Sequence, residues 1–244
     1  MPTRIHPTLF LSFHDTRKII LAAEHALWAH VPFIRFITIN LDLAGIGQPA
    51  SDFVTAYLKL AGDWLATKGT HRYYATVLEN PPSKSVGFNI HIAMHVPFEH
   101  LLFDFPRLEL RWIKEAGGKR RDPRVLVPRT IGDADIRYPE YGFLWHYNRV
   151  VEYLLKGAHP NICRALGIKH EPQGCIYGKR AGTSESLSLS KIESVGLTLN
   201  TRYQRLTGEW RRRLPVLPIT QRFLAVEPAL RSHLTGLTGR GSLM

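Results

Sequence analysis

The chain has 244 residues, of which 44% are hydrophobic and 21% are charged, so it can bury a full core in one domain, with or without a subdomain. No apolar run is long enough to span a bilayer, and the N-terminus lacks the pattern of a secretory signal. Two cysteines, Cys163 and Cys175, are too few for a disulfide framework or a cysteine-based zinc site. We therefore expect a cytoplasmic protein.

The charge balance points to a polyanionic partner. Thirty-two Lys and Arg against twenty Asp and Glu give a net charge of +12, with a pI near 10.0. Nucleic acid is the expected partner of such a chain, and no membrane is expected. A solvated basic surface is the alternative for any single cluster. The two densest clusters are Lys119, Arg120 and Arg121, and Arg211, Arg212 and Arg213.

The first hundred residues alternate between helical and strand patterns. Amphipathic periodicity predicts helices over 16–29 and 51–67. Runs of β-branched and aromatic residues predict strands over 33–41, 72–79 and 87–97.

The remaining chain is predicted to hold two further helices and a short strand. The helices cover 98–115 and 142–156, and the strand covers 124–128. After residue 158 the sequence is loop-like. The pattern as a whole predicts an α+β sheet covered by helices on one side, with a compact domain over 1–190 and a basic, Arg-rich C-terminal extension over 191–244.

The strand "GFNIHIAMHVP" (87–97) has an unusual polar face. Asn89, His91 and His95 alternate along it, and Glu79 ends the preceding strand. Carboxylate, amide and imidazole donors together suit Mg²⁺ or Mn²⁺. The alternative for each histidine is a hydrogen-bonded structural role.

His91 and His95 cannot easily bind one metal together. Along an extended strand they lie about 13 Å apart, at ~3.3 Å per residue. We therefore predict Glu79, Asn89 and His91 as the metal ligands and give His95 an auxiliary role on the structural or substrate side.

The helix over 142–156 carries a candidate nucleophile. Tyr153 leaves its apolar face, and Lys156 follows three residues later, on the same side as Arg149. Neighbouring cations make a tyrosine easier to ionise and offset the charge of a phosphate that it attacks. The alternative is ordinary amphipathic packing. Tyr147 is a second candidate nucleophile, but its place on the apolar face favours packing.

Three segments resemble, in order, the motifs of HUH-type endonucleases, the initiators of rolling-circle replication. "FITIN" (36–40) is similar to the first motif and "FNIHIAMH" (88–95) to the second, in which two metal ligands flank a hydrophobic residue. "YLLKG" (153–157) is similar to the third, a helix with a Tyr-x-x-Lys nucleophile motif. Glu79 falls where many members keep an acidic ligand, whereas Asn89 replaces the first histidine of the second motif. The resemblance covers roughly residues 33–187.

The resemblance implies a fold and a reaction. The fold would be a central antiparallel sheet of the ferredoxin or RRM type with flanking helices. The reaction would be metal-assisted nicking and joining of single-stranded DNA at a replication origin, with Tyr153 forming a 5′-phosphotyrosyl link and Lys156 stabilising charge. Arg149 would bind phosphate. A plasmid or phage replication protein of this type would use a host helicase, since the chain has no P-loop motif of its own.

Two other functions stay open on the sequence. One is a nucleic-acid-binding module of RRM-like architecture that does not cut. The other is a metal-dependent hydrolase that uses His91, His95 and His100, although their spacing matches no standard zinc motif.

Overall fold

A five-stranded antiparallel sheet forms the centre of the protein, which a computed structural model describes over residues 7–82, 87–119, 122–131, 141–188 and 217–238. The strands are β1 (Pro7–Thr8), β2 (Arg35–Asn40), β3 (Tyr74–Glu79), β4 (Asn89–Met94), β5 (Leu126–Thr130), β6 (Ile176–Tyr177) and β7 (Ala181–Thr183). Within the sheet the order is β5-β2-β4-β3-β7, and every neighbouring pair is antiparallel. Strands β1 and β6 form a separate two-stranded ribbon. The α+β class and the antiparallel sheet are thus confirmed.

Helices cover both faces of this sheet. They are α1 (Phe13–Trp28), α2 (Ser51–Thr67), α3 (Phe98–Leu101), α4 (Asp104–Glu115), α5 (Tyr141–Leu155), α6 (Pro160–Leu166) and α7 (Pro218–Thr238). Ile37, Ile39 and Ile92 face α2 and α4, whereas Phe36 and Ala93 face the core formed with α1, α5, α6 and α7. The expectation of helices on one side is wrong because part of the second face is apolar as well: Phe36, Ala75, Val77 and Ala93 are buried in the core with these helices.

The single helix expected over 98–115 is divided into α3 and α4. Pro106 is the third residue of α4. A proline is tolerated in the first turn of a helix, but in the interior of a continuous helix it would remove a hydrogen bond and clash with the preceding turn. A new helix therefore begins just before Pro106.

Helix α6 lies where the sequence looked loop-like. Pro160 begins it, and the Nδ1 atom of His159 accepts a hydrogen bond from the backbone N–H of Asn161 at 3.3 Å. Gly167 ends it in the left-handed conformation, at φ +63°. These local signals define a helix of seven residues, too short for a clear amphipathic pattern.

Helix α7 comes from the segment assigned to the C-terminal extension, and it contributes to the core. Leu217, Ile219 and Phe223 are buried in the cluster formed with α1, α5 and α6. The carboxylate of Glu24 on α1 accepts hydrogen bonds from the backbone N–H of Leu217 at 3.2 Å and from the hydroxyl of Thr220 at 2.9 Å.

Among the helices that the structure describes, none is long and apolar enough to cross a membrane.

Candidate functional site

The sheet register brings the predicted strand residues together. Glu79 on β3 lies opposite Asn89 on β4, and Thr38 on β2 lies opposite His91. Because alternate residues share a face, all four side chains point to the side covered by α5. Glu79 and His91 are 2% and 3% exposed, so the polar face of this strand is a buried site and not a solvated surface.

Glu79 is the centre of a buried charge cluster. Its Oε2 atom lies 3.0 Å from Nε2 of His91 and 3.2 Å from Nζ of Lys156, which follows the last residue of α5. The other ring nitrogen of His91, Nδ1, is 2.9 Å from the hydroxyl of Thr38. Thr38 thereby fixes the imidazole orientation and directs Nε2 towards the carboxylate.

The cluster shifts the pKa of both charged partners. Burial alone would raise the pKa of Glu79, but the hydrogen bond and charge of His91 and the charge of Lys156 together lower it below its ordinary value. Burial lowers the pKa of Lys156, and the attraction of Glu79 only partly opposes this. At neutral pH Glu79 is therefore ionised, and Lys156 releases its proton more easily than an exposed lysine.

Tyr153 connects this buried cluster with the surface. Its side chain is 40% exposed, and its ring stands edge-on to the imidazole of His91, with the ring centroids 5.1 Å apart. The Nζ atom of Lys156 lies over the same ring, 3.4 Å from its centroid. Phe36 contacts both rings: it stacks on His91 with the centroids 5.6 Å apart and stands edge-on to Tyr153 at 5.7 Å. The structure thus brings Tyr153 and Lys156 into contact with the predicted metal edge.

The donors at this edge fit a hard divalent cation. The Oε1 atom of Glu79 is buried without a hydrogen-bond partner among the described residues, and Nε2 of His91 lies 3.0 Å from the other oxygen of this carboxylate, Oε2. Asn89 is oriented by a hydrogen bond of 2.6 Å from its Nδ2 atom to the carbonyl oxygen of Gly87. A carboxylate, an imidazole and an amide are an acceptable set for Mg²⁺ or Mn²⁺. Such an ion would share Glu79 with the ammonium of Lys156.

The described residues contain no group of three His, Cys, Asp or Glu side chains arranged to hold a metal. His95 instead lies with Nδ1 2.9 Å from the carbonyl oxygen of Pro32, and His100 pairs with Asp104 at 3.1 Å. The three histidines of the hydrolase hypothesis are therefore not gathered into one metal centre.

Tyr147 lies in the core, as its apolar face predicts. It is completely buried, and its hydroxyl donates a hydrogen bond to the carbonyl oxygen of Ala23 at 2.9 Å. Burial raises its pKa far above the ordinary value, so ionisation of this phenol is strongly disfavoured. Tyr147 therefore packs and does not act as a second nucleophile.

Two of the predicted DNA-contacting residues, Arg149 and Lys119, are in the described part of the chain, and both lie outside the buried cluster. Arg149 is on the exposed side of α5 and pairs with Glu152 at 3.0 Å. Lys119 is exposed, and its backbone N–H donates a hydrogen bond to the carbonyl oxygen of Ala44 at 2.8 Å. The other predicted residues fall outside the described part of the chain: Arg120, Arg121, Arg211, Arg212 and Arg213.

Two residues near the site were not predicted. The role of Thr38 depends on strand register, which its motif alone does not give. Gln173 is 1% exposed and neither polar atom of its amide has a hydrogen-bond partner among the described residues. The side chain of Gln173 packs against Gly157, next to Lys156. Its backbone carbonyl oxygen accepts a hydrogen bond from the backbone N–H of Asn80 at 2.8 Å. No sequence signal identifies Gln173.

No family model matches the sequence, and comparisons of the chain with curated proteins and with solved structures gave no match. The residues of the site and the three motifs to which they belong are therefore the basis for assigning a function.

Proposed function

We propose that the protein nicks and rejoins single-stranded DNA by transesterification, with Tyr153 as the nucleophile. The supporting observation is that residues from distant parts of the sequence meet at one end of the sheet. They are Tyr153 and Lys156 at the end of α5 and the Glu79–His91 pair on β3 and β4. These are the residues of the second and third motifs and the acidic residue before them.

The reaction exchanges one phosphodiester bond for another. The oxygen of Tyr153 forms a bond to the phosphorus while the bond to the 3′-oxygen of the leaving strand breaks, and the phenol proton passes to solvent. The 3′-oxygen takes up a proton and becomes a hydroxyl that can prime synthesis. Attack by such a hydroxyl on the phosphotyrosyl link reverses the step and joins the strands.

The buried cluster supplies the charge that this step needs. Lys156 lies close enough to Tyr153 to stabilise a developing phenolate or the charge on the phosphate. Glu79, His91 and Asn89 would hold a Mg²⁺ or Mn²⁺ ion, which polarises the scissile phosphate when it is bound. Thr38 positions His91 for this role through the bond to Nδ1.

The basic residues would hold the DNA backbone. Arg149 lies on the exposed side of α5, the helix that also carries Tyr153. The net charge of +12 attracts a polyanion over a longer range. This part of the binding would be insensitive to sequence and would weaken as salt is added.

A nucleic-acid-binding module that does not cut is the second candidate. Two observations favour it. Lys156 already offsets the charge of Glu79, and Asn89 occupies a position at which the motif has a histidine. A site of this kind could keep its architecture after losing metal-dependent chemistry.

A covalent-adduct assay separates the two candidates. The protein is incubated with Mn²⁺ and a 3′-end-labelled pool of random-sequence single-stranded DNA, because the fragment held by the 5′-phosphotyrosyl link keeps the 3′ end, and a labelled protein band is sought on a denaturing gel. We expect an adduct with the wild type, none with Tyr153→Phe, and an adduct with the matched core control Tyr147→Phe. Replacing Asn89 with His should increase the metal-dependent yield. DNA binding without an adduct for wild type and Asn89→His alike would refute cutting and favour the binding module.

A further inference from the structure

The exposed side of α5 carries an aromatic and cationic row that continues away from Tyr153. Trp145, Arg149 and Tyr153 are spaced four residues apart and therefore follow one side of the helix; we refer to them as the α5 row. Trp145 is 60% exposed, and the guanidinium carbon of Arg149 lies 5.8 Å from the centroid of its indole ring.

The core does not require a tryptophan at this position. The residues of α5 that pack into the sheet are on its other side and include Tyr147, Val151 and Leu154, all of them buried. Tryptophan is highly buried on average, so an indole that exposes 60% of its surface beside an arginine needs another explanation.

The composition of the row matches a single-stranded nucleic acid. Such strands are bound by aromatic rings that stack on bases and by cations that contact the backbone between them. Arg149 uses one nitrogen, Nη1, for Glu152, whereas a guanidinium has five N–H donors, so it can contact a phosphate without giving up that pair. A protein partner would instead be expected to need a contiguous apolar patch.

We infer that Trp145 stacks on a base of the strand whose scissile phosphate lies at Tyr153, with Arg149 contacting the backbone between them. This inference rests on the proposed function and adds the position of a base contact. Eight residues of helix rise about 12 Å, which corresponds to about three to four stacked nucleotides at ~3.4 Å each. The stacked base is therefore about three to four nucleotides from the cleavage point.

Indole fluorescence tests this contact without requiring cleavage. Titration of the Tyr153→Phe protein with single-stranded DNA should quench the emission, and adding Trp145→Leu should remove most of that quenching and weaken binding about 5- to 150-fold. Trp64→Phe is the matched control. Trp64 also has a cation over its ring, since Nζ of Lys68 lies 5.5 Å from the ring centroid. Unlike Trp145, it lies on α2, against the other face of the sheet. It should leave the quenching and the affinity unchanged.

The position of the stacked base is tested with abasic nucleotides. Once a cleaved sequence is selected from the random pool, single abasic positions are scanned along it, and the loss of affinity should peak about three to four nucleotides from the nick. Unchanged affinity in Trp145→Leu would overturn the inference even if the wild type forms adducts. Quenching that depends on Trp145 without any adduct would support the base contact while refuting the proposed cutting.

Discussion

The Glu79–Lys156 pair can be tested by a double-mutant cycle. Both groups are buried, and removal of one partner from a buried ion pair typically costs about 3–5 kcal/mol because the other charge is left uncompensated. In Glu79→Gln the ammonium keeps its contact with the ring of Tyr153, and in Lys156→Met the carboxylate keeps His91 at 3.0 Å. We therefore expect each single substitution to cost about 2–3 kcal/mol.

The double substitution should cost less than the sum of the two. It removes both charges together, so neither is left buried alone, and we expect a cost of about 1–2 kcal/mol and a coupling energy of about 3 kcal/mol. For a chain of this size each single variant should lower Tm by about 4–12 °C. The measurement is urea unfolding at pH 7 in the presence of EDTA, followed by circular dichroism.

The result that would refute this reasoning is additivity. A coupling energy below about 0.5 kcal/mol would be typical of a solvent-exposed ion pair and incompatible with a buried one. The wild type should also lose stability as the pH falls through the lowered pKa of Glu79, below its ordinary value of 4.5, since the ionised carboxylate is the form that the fold stabilises. Glu79→Gln should lack this loss.

Two further substitutions test buried polar side chains, Glu24 on α1 and Gln173 near the site. Burial raises the pKa of Glu24 from 4.5 to about 7, so the stability that its protonated form contributes is fully present below pH 4.5 and is lost as the pH rises through 7. This contribution falls by about 2.5 kcal/mol between pH 5 and pH 8, so Glu24→Gln should remove a pH dependence of that size between thermal melts at the two pH values. Gln173→Met removes a buried amide that lacks hydrogen-bond partners among the described residues. Tm should therefore rise, and the free energy of unfolding measured in urea should increase by up to about 3 kcal/mol. A lower free energy of unfolding would show that the amide is hydrogen-bonded.

Local patterns were sufficient for most strands and long helices of the first 156 residues. The strand expected over 33–41 is Arg35–Asn40, because this segment is a run of β-branched and aromatic residues. The helix expected over 51–67 is Ser51–Thr67, because its apolar residues keep a period of 3.6. The short α6 and the break before Pro106 depend on single capping or helix-breaking residues, which periodicity does not register.

The candidate site was predictable where it depends on one strand or one helix turn. Tyr153 and Lys156 are three residues apart, so their contact follows from helix geometry. The bond between Thr38 and His91 requires the register of two strands, and the position of Gln173 requires the path of a loop across the end of β3. Neither is encoded in a short sequence pattern.

Helix α7 has a consequence for how the chain reaches its folded state during synthesis. It packs on α1, α5 and α6, yet it follows Ser188 by about thirty residues, so the ribosome makes it well after the three helices that it contacts. At the usual rates of translation, the fifty or so residues after Ser188 take about 3–10 s to emerge. During that interval the apolar surface that Leu217, Ile219 and Phe223 will cover is open to chaperones and to other nascent chains. A gene truncated at residue 190 would make that exposure permanent.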